Sequence, residues 1–472
     1  MDYLVLKRPW LGVLVFFCIA MVPSESGDTC IAKVKLPPET MMRMVQVSMI
    51  QGNILQNMVE KAMKNGDNSK MIKGIKGLKI QDLCIPNTDM ELMPTDTMKL
   101  RILINITVSG KSFIGGNMQI TVVAELQIYV QISVCPKGKV ITKITGCKVI
   151  VISCKTNLPS SMLPKIVNKF LDSTLGKVMP GVLCPAADMI IEKQMVAFQI
   201  MLGKKAIGII GFIVYEVAEK PDVQLTFIHI SIKITIQNKK GERKAFDYDQ
   251  LPDKLPPSKD KMCAVYIPAT AVSSVIDLMK PHLNTVVPKV KGAVPTSDQL
   301  KKLLPKAGLP AGKKLKVKIT HTESPKVTIS SSASSLTTSI EASFVDAKKG
   351  NQILSIKMKH KCRITFAIKQ EHLTISLKKG ACRTVEVSSP AGDVTGASKY
   401  TESVMDSWVQ HATSVMNKNQ VPLPSIMNVT STTSDATLSF HDNFLVIESN
   451  IQQYSKEEMA REVKKQCSTI KL

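Results

Sequence analysis

Aromatic side chains make up only 4% of this 472-residue chain, which removes the platform on which nucleic-acid bases stack. None of the seven histidines (His229, His282, His321, His360, His372, His411, His441) falls into HExxH or another metal-ligand spacing. The cysteines lack CxxC spacing, so neither a zinc site nor a dithiol redox centre is expected. There is no Gly-x-Ser-x-Gly elbow, P-loop or dinucleotide fingerprint. Lys73-Gly-Ile-Lys-Gly77 matches no phosphate-binding loop. Carboxylates are scattered, without an acid/base pair. These absences argue against an enzyme, and no catalytic residue, metal or cofactor is expected.

Long apolar runs are also missing after the first 26 residues. Lys7 and Arg8, the apolar stretch Leu11 to Val22 and the small-x-small site Ser24-Glu25-Ser26 predict a secretory signal over residues 1–26. Beyond it no run reaches ~18 apolar residues, the length a membrane helix needs. Loss of the signal removes Cys18 and leaves ten of the 11 cysteines. An even number fits disulfides made in an oxidising compartment. Asn105-Ile-Thr107 and Asn428-Val-Thr430 are N-glycosylation sequons. The chain is therefore expected to be secreted.

Negative charge is scarce: 38 Asp+Glu against 62 Lys+Arg leave a formal net charge of +24. Such a surface favours acidic partners. With a secreted address these are anionic lipid head groups or bacterial polyanions, not nucleic acid. Scattered lysines also keep a secreted protein soluble. The arginine-poor balance weakens the case for bidentate phosphate clamps.

What the chain does have is alternation. From Gln119 to Val134, Ile120, Val122, Ala124, Leu126, Ile128, Val130, Ile132 and Val134 share one parity, and polar residues dominate the other. This predicts a strand with one apolar and one wet face, running roughly 50 Å at about 3.3 Å per residue. Ile102, Ile104, Ile106 and Val108 alternate likewise, with a turn expected at Ser109-Gly110, and Pro136-Lys-Gly138 turns the chain into Val140 to Ser153. Helices are predicted at Pro37 to Lys64 and Ser160 to Val178. Val223 to Gln237 alternates, with a parity change at Phe227-Ile228 that predicts a bulge.

The pattern collapses over 239–261, a charged, proline-rich stretch read as a linker between domains at 27–238 and 262–472. The order then recurs. A helix at Ala264 to Leu283 precedes strands at Leu315–Ile319, Val327–Ile329, Leu336–Phe344, Leu354–Met358, Ile364–Ile368 and Leu373–Leu377. A helix at Tyr400–Met416 and strands at Ala436–Phe440 and Phe444–Ile451 follow.

Several segments, in this order, resemble the bactericidal/permeability-increasing (BPI/LBP/PLUNC) fold family, most closely its long PLUNC-type B members. They are Phe113-Ile-Gly-Gly-Asn-Met-Gln-Ile-Thr-Val122; Gly146-Cys147 with Leu183-Cys184-Pro185; Val294-Pro-Thr-Ser-Asp298; and Val421-Pro-Leu-Pro-Ser-Ile-Met427 leading to Phe440-His-Asp-Asn-Phe-Leu-Val-Ile447. The resemblance implies an α+β fold: two pseudo-symmetric antiparallel β-barrels with long packed helices, joined by a central sheet in a boomerang. It also implies an N-terminal disulfide falling on Cys147 and Cys184. If Gly146-Cys147 sits at a turn, the following strand runs back and brings Cys154 near Cys135. That would favour Cys135–Cys154 beside Cys147–Cys184, with Cys154–Cys184 left open, as are the pairings of the other six cysteines.

In the family a lipid can lie between helix and sheet. Carried onto this chain, that makes Met41, Met44, Val45, Ile120, Val122, Leu126, Ile128, Leu163, Ile166 and Phe170 candidate ligand-binding residues. Twenty-five methionines against twelve phenylalanines make a soft interior suited to varied apolar shapes. Ten buried acyl carbons at about 0.8 kcal/mol each would sustain roughly micromolar binding after association costs. Lys70, Lys73, Lys76 and Lys79 recur every third residue among Ile72, Ile75 and Leu78 and form a candidate anionic-surface segment; Lys301, Lys302, Lys306, Lys313, Lys314, Lys316 and Lys318 form a second cluster. The leading expectation is a secreted, non-catalytic lipid or small-hydrophobe carrier of a mucosal secretion. Alternatives are a host-defence protein that binds lipopolysaccharide or anionic membranes, and a surface-active secretion component.

Overall fold

The computed structural model describes residues 30–42, 45, 75–93, 96–112, 117–134, 140–157, 202–243, 251–257, 262–287, 296–303, 311–312, 314–369, 372–390, 397–424 and 436–449, and helical residues at 176–177, 179–181, 183–185, 187–188 and 191. The fold is α+β and sheet-rich. Strand β1 (Cys30–Leu36) is followed by β2 (Ile75–Met93), β3 (Thr97–Ser112), β4 (Asn117–Val134) and β5 (Val140–Thr156). The last four pair in sequence order as an antiparallel meander, the N-terminal sheet.

Period-two patterning explains this sheet. In β4, Ile120, Val122, Ala124, Leu126, Ile128, Val130 and Ile132 are all buried, and no residue between them is. On β3 the same holds for Leu100, Ile102 and Ile104. The register matches apolar to apolar, Ile102 opposite Leu126 and Ile104 opposite Ala124. A slip by one residue would turn every one of these side chains to water.

The central sheet contains β6 (Gly203–Ile207), β7 (Gly211–Val217), β8 (Asp222–Val223), β9 (Ile228–Asn238) and β10 (Cys263–Pro268). Strand β1 lies inside it, paired with β9 on one side and β10 on the other. Its remaining strands are β18 (Thr437–His441) and β19 (Phe444–Ser449). Chain from both sides of segment 239–261 thus meets in one sheet. The parity change foreseen as a bulge at Phe227-Ile228 is a turn instead: β8 ends at Val223, and Gln224 N–H donates to Phe227 O at 2.9 Å. Within 239–261, Leu251 and Leu255 pack against Ala264, Tyr266, Phe444 and Val446.

Ala264 to Ile267, expected to be helical, belongs to β10, whose six residues are all buried. A run so uniformly apolar fits a strand covered on both faces as well as it fits a helix. Helix α1 (Ala269–Leu283) starts only after Pro268. The C-terminal sheet follows: β11 (Thr285–Val287), helix α2 (Ser297–Leu303), β12 (Leu315–His321), β13 (Lys326–Thr328), β14 (Ser335–Asp346), β15 (Gln352–Lys369), β16 (His372–Ser388), helix α3 (Thr401–Lys418) and β17 (Val421–Pro422). The segments Leu354–Met358 and Ile364–Ile368 are parts of the one strand β15. Val404, Met405, Trp408, Ala412 and Met416 recur at helical spacing along α3 and are buried.

All three sheets are open rather than closed into barrels among the described residues. The long helix expected at Pro37–Lys64 is described only at 38–42 and 45, and that at Ser160–Val178 only at 176–177; the rest lies outside the described residues. Apolar side chains form one core on the N-terminal sheet and a second, larger core that runs from the central sheet into the C-terminal half.

Candidate functional site

An apolar cavity of about 120 Å³ lies at the seam between these two cores. From the N-terminal core come Val45, Leu100 and Val130; from the central core come Leu36, Ile132, Val140, Ile228 and Ile230. Met90 and Met98, which also line it, pack against both cores. Among the described residues, Thr142 has the one polar side chain in the wall.

Strand register builds the site. Leu36 sits opposite Ile228 across the β1–β9 ladder, Met98 opposite Val130 across β3–β4, and Ile132 opposite Thr142 across β4–β5. The two sheets therefore face each other with apolar parities inward. A cavity of comparable size and lining remains dry and accepts small apolar guests. Three methionines at the seam, Met41, Met90 and Met98, supply side chains that adapt to a guest's shape.

A second pocket on the same face of the central sheet, in the C-terminal half, is nearly filled, with about 20 Å³ left. Ala32, Ile234, Val265, Val272, Val275 and Leu373 close in on it. Tyr215 Oη donates to Pro422 O at 2.6 Å across it, and burial pushes the Tyr215 phenol well above its usual range.

Of the candidate ligand residues, Met41 and Val45 line the seam cavity. Ile120, Val122, Leu126 and Ile128 lie instead in the N-terminal core, at most 2% exposed, under Val45, Met179, Leu183 and Ala187. Met44, Leu163, Ile166 and Phe170 are outside the described residues. Sequence reasoning missed Met90, Met98, Leu36, Ile228 and Ile230. Each carried the correct apolar parity, but nothing local shows that two distant strand pairs meet.

The Cys147–Cys184 disulfide is present, with Cα atoms 5.9 Å apart, which excludes Cys154–Cys184. Cys135, the other half of the expected Cys135–Cys154 pair, lies outside the described residues. Gly146 lies inside β5, which runs on without a turn. Its register sets Cys154 opposite Val122, whereas Val134, the chain neighbour of Cys135, lies opposite Val140. Those positions are at opposite ends of the hairpin, roughly 40 Å apart along the strand. Cys84 is disulfide-bonded.

Ile75 to Lys79, with two of the four lysines of the basic segment, is β-strand; Lys76 lies opposite Lys111 and Lys79 opposite Ser109. Lys70 and Lys73 are outside the described residues. The turn expected at Ser109-Gly110 is likewise strand, since β3 continues to Ser112. Lys79 and Lys111 border a polar groove of about 680 Å³ with Gln81, Ser109, Asn117, Gln119 and Asn157. Asn105 sits mid-strand with its Oδ1 buried, and Asn428 is outside the described residues. Among the described residues no His, Cys, Asp and Glu group could hold a metal, and no helix is long and apolar enough to cross a membrane.

Residues 37–194 match the model of the LBP / BPI / CETP family, N-terminal domain, and residues 207–453 match that of its C-terminal domain. The chain is 32% identical to human BPI fold-containing family B member 6 over 306 residues, 62% of this chain and 67% of that protein. It is 23% identical to rat family B member 3 over 376 residues, 76% of this chain and 78% of that one. The alignment with member 6 thus spans about two thirds of that relative. Among solved structures, the lipopolysaccharide binding protein matches over 90% of this chain with a TM-score of 0.55 at 15% identity, a likeness of fold.

Proposed function

The chain belongs to the LBP / BPI / CETP family, and from that premise we propose that it is a secreted, non-enzymatic carrier of lipids or small hydrophobic molecules. The observation that carries this reading is the cavity at the seam of the two cores, walled by Leu36, Met41, Met90, Met98, Val130 and Ile228. Its volume of about 120 Å³ lies below the roughly 300 Å³ at which drug-sized pockets begin. It therefore suits a ring or a short alkyl segment, with Met41, Met90 and Met98 shifting to admit more. The matching pocket of the C-terminal half is filled, so one ligand per chain is expected. The division into domains at 27–238 and 262–472, after a signal over 1–26, forms part of this proposal.

Uptake needs no bond making: an apolar guest leaves water and gains about 0.8 kcal/mol per buried methylene. Native mass spectrometry of protein from a eukaryotic secretion host should show a co-purified apolar species at one per chain. A fluorescent fatty-acid probe should compete for the same site. Protein that emerges empty and ignores the probe would remove the carrier reading.

A second reading is favoured by the groove between Lys79 and Lys111. There the chain would engage the phosphates of lipopolysaccharide or anionic lipid, as a host-defence protein. The relative named for binding lipopolysaccharide shares the fold. Affinity for lipopolysaccharide should then collapse with added salt; a salt-insensitive interaction would dismiss it.

A further inference from the structure

The outer face of the C-terminal sheet carries cations placed directly against one another. Along β15, Lys357, Lys359, Lys361 and Arg363 are exposed while Met358, His360 and Cys362 between them are buried. Across the β15–β16 ladder Lys359 faces Arg383 and Arg363 faces Lys378. Like charges directly opposite on a sheet repel and destabilise it. Lys357 is relieved by Glu386 at 2.9 Å, and Lys379, turned toward α3, by Asp406 at 3.1 Å. Lys359, Lys361, Arg363, Lys378 and Arg383 form no ion pair among the described residues. Exposed Lys316 and Lys318 of β12 continue the same face.

From this we propose that the outer face of β15 and β16 is a binding surface for a linear sulfated polysaccharide. Successive outward residues of a strand are about 6.8 Å apart, so the cations make a ladder along the strand instead of a pocket. Glu341 lies opposite Lys357 at one end of the ladder, and several positions beside the cations are small or hydroxylic: Ala381 opposite Lys361, and Thr337 and Ser339 on β14 opposite Lys361 and Lys359. These can meet sugar hydroxyls and leave room for a chain to lie flat. A membrane is a poorer fit because a single exposed large apolar side chain, Val385, stands beside the ladder. By contrast, on β5 exposed Ile141, Ile150 and Ile152 stand among lysines. A nucleic acid is a poorer fit because no aromatic ring lies among the cations. The two arginines supply the planar donors that sulfate and carboxylate accept in pairs. This surface is separate from the seam cavity and does not depend on the carrier reading.

The test uses the full chain, a size-defined heparin oligosaccharide and vesicles of phosphatidylserine in phosphatidylcholine. Binding to heparin is expected at about 0.15 M salt and should weaken steeply as salt rises. Arg363→Glu with Arg383→Glu turns both repulsive pairs into attractive ones, so the melting temperature should hold or rise while heparin affinity falls about tenfold or more. Lys301→Glu with Lys302→Glu, an equal change of charge on α2, should leave affinity within about twofold. Equal losses in both variants, no heparin binding at that salt, or tighter binding to the vesicles than to heparin would each overturn the proposal.

Discussion

His321 meets Trp408 edge-on, with ring centroids 5.5 Å apart, and His360 approaches the same indole at 6.4 Å from another strand. His321 Nδ1 lies 3.0 Å from Asn284 Oδ1, an acceptor, which fixes the ring proton there. Among the described residues, His321 Nε2 and Trp408 Nε1 are buried without hydrogen-bond partners. Burial lowers the His321 pKa to about 4, with Lys280 adding to the effect. His360 is lowered too, by burial first, against a hydrogen bond to the Gly380 backbone; Lys379 adds to the lowering and Asp406 opposes it.

Both histidines bind protons more tightly in the unfolded chain than in the folded one, so folding stability falls as pH falls. For His321 the loss accumulates between an unfolded pKa of about 6.5 and the folded value near 4. It amounts to something on the order of 3 kcal/mol. In a chain beginning after residue 26, Trp408 is the one tryptophan. Its fluorescence followed in denaturant at pH 7 and pH 4.5 should show the lower midpoint in acid. His321→Phe should flatten that dependence without abolishing it, since His360 remains. An unchanged slope in this variant would count against the assignment.

Cavity and core should respond in opposite ways to substitution. Val130→Phe adds volume at the seam and should remove binding of a fatty-acid probe, at a stability cost of no more than about 1–3 kcal/mol. Leu126→Ala, beneath helical residues in the N-terminal core, should destabilise the fold by about 2–5 kcal/mol and leave probe affinity near normal. Calorimetric melting and probe titration on the two variants separate the effects. Loss of binding in Leu126→Ala with retention in Val130→Phe would place the ligand elsewhere.

The contrast between those residues shows what could be read in advance. Ile120 to Ile132 advertised their buried face because strand periodicity is local. The same holds for Val404, Trp408 and Ala412 on α3, whose spacing is helical. Strand β10 was misread because a continuous apolar run has no period to decide between helix and strand. Strand β1 was not foreseen: Lys33 and Lys35 interrupt a short segment whose partners lie about two hundred residues ahead. The cavity was illegible for the same reason, since it exists only where Leu36 and Ile228 meet Met98 and Val130. The turn expected at Gly146-Cys147 is absent; a glycine in a strand resembles a turn residue in the sequence. In the fold Gly146 sits at a register shift against Tyr129, where a Cβ would come within 3.3 Å of the ring.

Gly208 and Asn419 tie the two halves of the chain together. Gly208 has φ +49°, and a Cβ there would fall 2.1 Å from Asn419 Oδ1. That oxygen accepts from Ile209 N–H at 3.1 Å, while the Asn419 amide donates to Val415 O at 2.9 Å. Gly208→Ala meets both a steric and a backbone penalty and should lower stability by more than about 1 kcal/mol. Asn419→Ala, which leaves Ile209 N–H without its acceptor, should cost about 1–3 kcal/mol. Both are read as shifts of the denaturant midpoint. A neutral Gly208→Ala would mean that this turn relaxes freely.

The Cys147–Cys184 bridge clips the helical residues near Leu183 to β5, the edge strand of the N-terminal sheet. It closes a loop of sequence separation 37, for which chain entropy alone gives about 4 kcal/mol of stabilisation. Replacing both cysteines by serine should therefore lower the stability of the N-terminal sheet by about 2–4 kcal/mol. The loss should be local. Leu183 and Ala187 cover Ile104, Ala124 and neighbouring residues of that core, whereas Trp408 belongs to the other one. Hydrogen exchange should accelerate in 176–191 and on the inner positions of β3 and β4, with β14 and β15 unaffected. Unfolding followed by Trp408 fluorescence should keep its midpoint while far-ultraviolet circular dichroism shows an earlier, partial transition. If instead both probes shift together, the cores unfold as one unit, and the seam that holds the cavity is a rigid joint instead of a boundary.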